Sequence, residues 1–456
     1  MFRLSEKTNL IEYGELYYPL QDVPKPNLYR NIFSYGEIPK IAFNHRITPI
    51  DMPERIWITD TTFRDGQQSR APYTPEQIVR IYDLLHKLSG PHGIIRQSEF
   101  FLYSKSDRDA VYKCLERGYE FPEVTGWIRA SKKDFEMVKA MGIKETGVLV
   151  SCSDYHIFYK LKMTRSQAVN HYLSVVRECI ETGVRPRCHF EDITRADFYG
   201  FVVPFASELM RLMYDTGVPI KIRACDTMGY GVTFPGAAMP RSVQGIIHGL
   251  NHYAGVPHGL LEWHGHNDFY RSVTNASYAW LYGASGVNCS LLGIGERTGN
   301  TPLEAMVIEY AQLRGTLSGM NTTVITEIAE YFEKELGYKI PPMTPFVGRH
   351  FNVTRAGIHA DGLLKNEEIY NIFDTEALLN RPAHISISNT SGVAGVVHWL
   401  NSFYKPSADE AFHKEHPVAK AVKAWIDAEY NGGRVTVITD EEMEEQSARA
   451  MREANS

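Results

Sequence analysis

The chain has 456 residues, 43% hydrophobic and 22% charged, which is the balance of a globular enzyme and excludes a disordered or fibrous protein. A net charge of -6 argues against nucleic acid or an anionic membrane as a partner. Cys114, Cys152, Cys179, Cys188, Cys225 and Cys289 are scattered with no Cys-x-x-Cys pair, as in reduced cytosolic proteins; no signal-peptide core or bilayer-length apolar run occurs, so the expected location is cytoplasmic.

Residues 1–50 are rich in Tyr, Pro and Asn. Tyr17-Tyr18-Pro19-Leu20 and Pro24-Lys25-Pro26 oppose a helix, so this stretch is expected to be an extended arm with aromatic anchors. The arm could lie over its own domain or over a partner subunit, and the residues do not choose between the two.

From Arg55 a strand–helix rhythm begins. Strands are expected at 56–58, 93–99, 122–129, 147–150, 185–191, 219–225, 260–264 and 286–291. The helices between and after them are expected at 75–89, 107–117, 131–141, 164–182, 197–216, 241–254, 269–283 and 301–314. Eight such units over 51–315 match the size of a (β/α)8 TIM barrel; an open doubly wound sheet would more often have fewer strands. Residues 316–405 read as a mixed α/β subdomain after the barrel, and 406–456 as a charged helical tail.

In a barrel of this kind the chemistry sits at the C-terminal ends of the strands. The polar groups expected there are Asp60 to Gln68, Glu99, Arg129, the alternating Arg187, His189 and Glu191, Asp226 with Thr227, and 293–300. The seventh strand ends in His264-Gly265-His266, a spacing that points both imidazoles to one side of an extended strand. Two ordinary histidines are the bland alternative for that pair. So many polar strand ends on one mouth make a two-imidazole metal site the better reading.

Three motifs in order, Asp60-Thr61-Thr62-Phe63-Arg64-Asp65-Gly66-Gln67-Gln68, His264-Gly265-His266-Asn267-Asp268 and Gly293-Ile294-Gly295-Glu296-Arg297-Thr298-Gly299-Asn300, resemble the acyl-CoA:2-oxo acid condensing synthases. That family includes 2-isopropylmalate, homocitrate, citramalate and Re-citrate synthases. The resemblance runs from about residue 56 to 315 and more weakly to about 400. It implies an acyltransferase that joins acetyl-CoA to a 2-oxo acid with the help of a divalent metal (Mn, Mg, Co or Zn). Asp65, His264 and His266 match the family's metal ligands, and Asn300 a further one. Arg64, Glu191, His359 and Asp361 form the implied catalytic set. Within it, His359, with Asp361 to orient it, matches the base that a partner subunit donates, so a homodimer is expected. Gln68, Glu99, Arg129, Arg187, His189 and Thr227 form the implied substrate-binding set.

Arg187 stands where homocitrate synthases pair an arginine with the far carboxylate of their oxo acid, which favours a dicarboxylic acceptor. His189 replaces a small hydroxyl residue, and Phe100, Phe101 and Trp127 add bulk. The shorter diacid, oxaloacetate, giving citrate, therefore ranks first, ahead of 2-oxoglutarate and then of the isopropylmalate and citramalate acceptors. Near the subdomain end, Ser388-Asn389-Thr390-Ser391-Gly392 departs from the family's Gly-Lys-x-Ser-Gly. The related hydroxymethylglutaryl-CoA lyases share the His-x-His site but carry a cysteine in the loop after strand 8. Here 293–298 has none, which favours synthesis over cleavage.

Overall fold

A computed structural model describes residues 2–4, 11–13, 17–129, 131–354, 359, 362, 363 and 365–454. The chain divides into two compact units, Met1–Asn321 and Thr322–Ser456.

The first unit is a closed barrel of eight parallel strands: β1 Trp57–Asp60, β2 Ile95–Phe101, β3 Glu123–Trp127, β4 Glu145–Ser151, β5 Arg185–Glu191, β6 Lys221–Asp226, β7 Leu261–Gly265 and β8 Gly286–Cys289. The register closes where Asn288 pairs with both Thr59 and His264. Helices α1 Pro75–Ser89, α2 Lys105–Leu115, α3 Lys132–Ala140, α4 Arg165–Thr182, α5 Val203–Thr216, α6 Val243–His252, α7 Ser272–Leu281 and α8 Leu303–Arg314 follow the strands. The expected (β/α)8 barrel is therefore the fold.

Local chemistry sets the helix boundaries. Thr74 with Gln77, Ser104 with Asp107, and Thr164 with Gln167 make reciprocal capping boxes at the starts of α1, α2 and α4. Two of the expected helices begin three or more residues later than the sequence indicates. A π-helical turn, Phe198–Val202, precedes α5. Before α7, Tyr270 takes a left-handed φ of 56°, and Asn267 Oδ1 accepts the Ser272 backbone N–H at 3.3 Å.

Period-two alternation divides each strand between two environments. Cys188, Phe190, Ile222 and Ala224 are buried on the helix side, where Phe190 stacks on Phe205 of α5 at 5.1 Å. The lumen side is charged. Glu99, Glu145 and Glu262 meet Arg187, Lys221 and Arg223 there, so carboxylates and cations balance inside the barrel. A buried, hydrogen-bonded ionic core of this kind fixes one geometry and tolerates no unpaired member.

The arm turns back over its own barrel. Gln21 N donates to Gly200 O at 2.9 Å, Arg165 Nη1 donates to Gln21 O at 2.9 Å, and Ala238 N donates to Ala42 O at 2.8 Å. Tyr18 stacks on Tyr199 at 5.6 Å. At the extreme N-terminus, Phe2–Leu4 and Ile11–Tyr13 pair as a short antiparallel ribbon.

In the second unit α9 Val324–Lys334 is followed by a two-residue parallel pairing of Val353–Thr354 with His384–Ile385, then α10 Thr375–Leu379, α11 Val393–Tyr404, α12 Pro417–Asn431 and α13 Asp440–Ala454. Ile385, Val396 and Leu400 share one buried cluster with Val418, Val422, Ile426, Met443 and Ala450. The charged residues of α12 and α13 thus belong to helices whose other face is core. All six cysteines are free and buried. Among the described residues no helix is long and apolar enough to cross a membrane.

Candidate metal centre at the barrel mouth

Asp65 is delivered by the loop that leaves β1, at the start of a 3-10 turn, Gly66–Ser69. His264 is on β7, and His266 immediately follows it. Their Nε2 atoms face each other at 3.3 Å, and Asp65 Oδ2 stands 3.7 and 4.0 Å from them. One ligand atom from each of the three residues falls within 4.8 Å of the others, the only such group among the described residues. Two imidazole nitrogens each about 2.1 Å from one ion would stand roughly 3 Å apart at a right angle, so the spacing fits a shared cation.

Protonation is also right for a cation. Burial pushes His264 down to about 3, with the neighbouring His266 adding to the effect and Asp65 opposing it. Burial lowers His266 as well. For Asp65, burial would raise the carboxyl, but Arg64, His264, His266 and Asn300 together hold it below its ordinary range. Neutral imidazoles beside an ionised carboxylate are the forms that bind metal. Asn300 adds a fourth group. Its Nδ2 donates to Asp65 Oδ1 at 3.2 Å and to Ile294 O at 3.1 Å, while its Oδ1 is buried with no partner. A buried carbonyl oxygen left bare beside a carboxylate is suited to a hard cation.

The loop carrying Asn300 is tightly held. Gly299 has φ 87°, and a Cβ there would stand 2.1 Å from Gly293 O. Glu304 Oε2 accepts the Leu292 N–H at 3.0 Å. Burial pushes the Glu304 carboxyl up from 4.5 to about 7. A folded-state pKa above the unfolded one means that the stabilisation is complete below about 4.5 and is lost as pH rises through about 7. Glu304→Gln cannot ionise. Its stability relative to the parent should therefore improve between pH 5.5 and 8.5, by on the order of 2–3 kcal/mol. Denaturant melts at the two pH values check this, and an unchanged difference would refute it.

Arg64 donates to Asp65 Oδ2 at 2.6 Å, and its guanidinium lies 4.0 Å from the centre of the Trp127 ring. Gly147 makes room for that ring, since a Cβ there would stand 2.3 Å from Trp127. His189 packs tilted against the same ring, 4.5 Å between ring centres. Burial and then Arg223 push His189 well below its ordinary value, so it is a neutral polar wall.

The remaining expected site residues are placed variously. Glu99 is inside the barrel because β2 runs two residues further than the sequence indicates. It accepts from Arg187, from Arg223 Nη1 at 3.1 Å and from Thr61 Oγ1 at 3.0 Å. Burial opposes its ionisation, yet Arg223 and Arg187 hold it well below the usual range. Arg187 lies inside the barrel. It is buried, and its nitrogens are engaged by Glu99, by Glu145 at 2.8 Å, by Thr125 and by His189 Nε2 at 3.2 Å, so its charge is already neutralised inside the protein. Glu191 accepts from Ser151 and from Lys160, and stands 3.0 Å from His156 Nδ1. Burial opposes but His156, Ser151 and Lys160 bring it down to about 2. Thr227 Oγ1 accepts the Asp192 N–H at 2.9 Å. Arg129 is exposed, 5.4 Å from the Tyr103 ring. Gln68 is exposed, whereas its neighbour Gln67 bonds Phe63 O at 2.6 Å and Tyr73 N at 3.0 Å. Phe100 adds nothing to the pocket, since it faces outward and stacks on Phe63 at 4.7 Å.

His359 belongs to the second unit, where it is half-buried and 4.4 Å from the Tyr370 ring. Asp361 lies outside the described residues. Sequence reasoning missed Thr59, Glu262 and Asn288, which lie beneath the two imidazoles. Alternation along β1, β7 and β8 would have put them on the lumen face.

Residues 55–332 match the HMGL-like family model. The chain is 60% identical to a citrate (Re)-synthase of Clostridium kluyveri, covering 94% of each chain. It is 56% identical to a citrate (Re)-synthase of Syntrophus aciditrophicus, over 94% of this chain and 68% of that protein. Among solved structures, an HMG-CoA lyase of Bacillus subtilis shares the fold, with a TM-score of 0.50 at 16% identity over 64% of this chain and 96% of that one.

Proposed function

The chain belongs to the HMGL-like family, and from that membership we propose that it condenses acetyl-CoA with oxaloacetate to give citrate and free CoA, as a Re-type citrate synthase. The observation that carries this reading is the 60% identity to a citrate (Re)-synthase over 94% of both chains. The grouping of Asp65, His264 and His266 supports it.

The reaction needs a proton removed from the acetyl methyl group, a bond from that carbon to the ketone carbon of the oxo acid, and hydrolysis of the thioester. A divalent cation held by Asp65, His264, His266 and Asn300 would act as a Lewis acid that polarises the ketone. Arg64, fixed between Asp65 and the Trp127 face, would offer its guanidinium to the charge that develops on the ketone oxygen. Trp127 and His189, packed on each other at 4.5 Å beside Arg64, would limit the length of the acceptor. With Arg187 ion-paired in the barrel interior, cations nearer solvent that could meet a dicarboxylic acid include Arg64, Arg129, Lys160 and Arg297, the last bonded to the Thr227 carbonyl. His359 takes the role of base, oriented by Asp361, and is contributed by a second copy of the chain. A homodimer follows from that role, as does loss of turnover on dilution to a monomer proven by sedimentation. The free, buried cysteines accord with a cytoplasmic location, which cell fractionation checks.

Thiol release from acetyl-CoA tests the reading, with a divalent metal and oxaloacetate, 2-oxoglutarate, 2-oxoisovalerate or pyruvate as acceptor. Oxaloacetate is expected to be preferred by at least ~100-fold in kcat/KM, the size of discrimination that pairing a carboxylate in a shaped pocket can supply. Preference for 2-oxoisovalerate would overturn it.

A further inference from the structure

His264 and His266 are treated differently by the protein beneath them. His266 Nδ1 is buried with no partner. His264 Nδ1 is 2.8 Å from Asn288 Oδ1. The amide nitrogen of Asn288 in turn lies 3.0 Å from Thr59 Oγ1 and 3.5 Å from the Thr59 carbonyl oxygen. Thr59 Oγ1 donates to Glu262, and Arg223 Nε donates to Glu262 Oε2 at 2.6 Å. All of these side chains are buried.

Counting protons along this chain leaves one arrangement. Glu262, paired with Arg223, only accepts. A hydroxyl has a single proton, so Thr59 gives it to Glu262 and turns a lone pair toward Asn288. The Thr59 carbonyl beside it is also only an acceptor. The Asn288 amide must therefore present its NH2 group to Thr59, which leaves its Oδ1 facing His264. An oxygen at that place needs a donor, so His264 carries its proton on Nδ1. The bare lone pair on Nε2 then points at Asp65 and His266. We propose that Thr59 and Asn288 are positioning residues that lock His264 in the Nδ1–H tautomer, preparing Nε2 as a cation ligand before any cation arrives. The lone pair of His264 is thus fixed by the ion pair inside the barrel, while His266, whose Nδ1 has no partner, gives its Nε2 proton to His264 Nε2 at 3.3 Å until a cation takes its place. The inference deepens the reading of the triad as a cation site and rests on it.

The tautomer can be observed without metal. In chelator-treated protein labelled with 15N-histidine, long-range proton–nitrogen correlations should show His264 as the pure Nδ1–H form, with the signal assigned by its absence in His264→Gln. Asn288→Leu should give a tautomer mixture and, by titration with Co²⁺ alone, bind that ion about 10–100-fold more weakly, the usual effect of losing a ligand's hydrogen-bond partner. Thr59→Val should act in the same direction, and Thr59→Ser, which keeps the hydroxyl, should restore the parent tautomer and affinity. Thermal melts of the chelated proteins distinguish misfolding from loss of the ligand's orientation. An Nε2–H tautomer in the parent protein overturns the inference directly, whether or not Asn288→Leu folds. So does a folded Asn288→Leu with unchanged tautomer and unchanged Co²⁺ affinity. Failure of the parent to bind Co²⁺ would sink the cation reading instead, and the tautomer measurement would still decide the lock.

Discussion

Asp65→Ala is expected to abolish thiol release, by ~10³-fold or more, and to remove measurable affinity for a divalent cation. Asp65 is the only anion among the grouped ligands, and Arg64 lies 2.6 Å from it. Removing the carboxylate leaves two neutral imidazoles and an amide facing the Arg64 guanidinium, whose remaining carboxylate, Glu99 at 3.8 Å, is shared with Arg187 and Arg223, so the site would repel a cation. Losing Lewis-acid polarisation of the ketone forfeits several kcal/mol in the transition state, and each 1.4 kcal/mol is a factor of about ten. Asp65→Asn keeps the shape and removes the charge, so it should fail nearly as badly. His264→Ala should lose affinity too, but by less, because the charge remains. Metal analysis of the purified variants, with thiol release before and after chelation and re-addition of Mn²⁺, Co²⁺ or Mg²⁺, reads all of these effects. Full activity in a chelated parent enzyme, or in Asp65→Ala, would refute the metal mechanism.

The barrel and the pair His264 and His266 were both visible in the residues for one reason, whereas Asp65 was reached only through the resemblance of 60–68 to the condensing synthases. Alternation with period two says which side of a strand a residue faces, and capping pairs such as Thr74 with Gln77 say where helices start. His264 and His266 sit at the last turn of that alternation, where face and mouth coincide. Depth is what the pattern does not encode. Arg187, His189 and Glu191 share a face, but each step of two residues moves roughly 6.6 Å along the barrel axis before tilt. Glu191 is at the rim, whereas Arg187 lies among Glu99, Glu145 and Thr125. Phe100 was misjudged for the complementary reason: it is at the right depth but on the outer face. The arm's destination depends on contacts such as Gln21 with Arg165 that no local pattern contains. The apolar face of α12 was legible, since Val418, Val422 and Ile426 recur at helical spacing, but the charge around it hid the signal.

The lumen network and the centre above it form one electrostatic unit. Glu99 accepts from both buried arginines, and Arg64 Nε is 3.8 Å from it. Arg64 thus stands between an interior carboxylate and the Asp65 ligand. The ionic core thus reaches the site through Glu99 as well as stabilising the fold.

Arg187→Met is the substitution that separates a substrate-binding arginine from a structural one, and it is expected to destabilise the protein by about 3–5 kcal/mol, the usual penalty for removing one partner from a buried ionic cluster. Glu99 and Glu145 would each lose a cation at a place that water does not reach. For a unit of this size the loss corresponds to a Tm lower by roughly 5–10 °C. Arg187→Lys should recover part of it, since an ammonium restores the charge but cannot bridge both carboxylates. The acceptor profile decides between the two roles. If Arg187 held the far carboxylate of oxaloacetate, the variant would keep its Tm, raise KM for oxaloacetate sharply and lose its preference over 2-oxoisovalerate. If Arg187 is a strut, the folded fraction assayed below its melting point should keep that preference, with kcat reduced through Glu99 and Arg64. Thermal melts beside KM values for the two acceptors make the distinction. An unaltered Tm with lost discrimination would return Arg187 to the substrate site, and would mean that its contacts with Glu99 and Glu145 give way when the diacid binds.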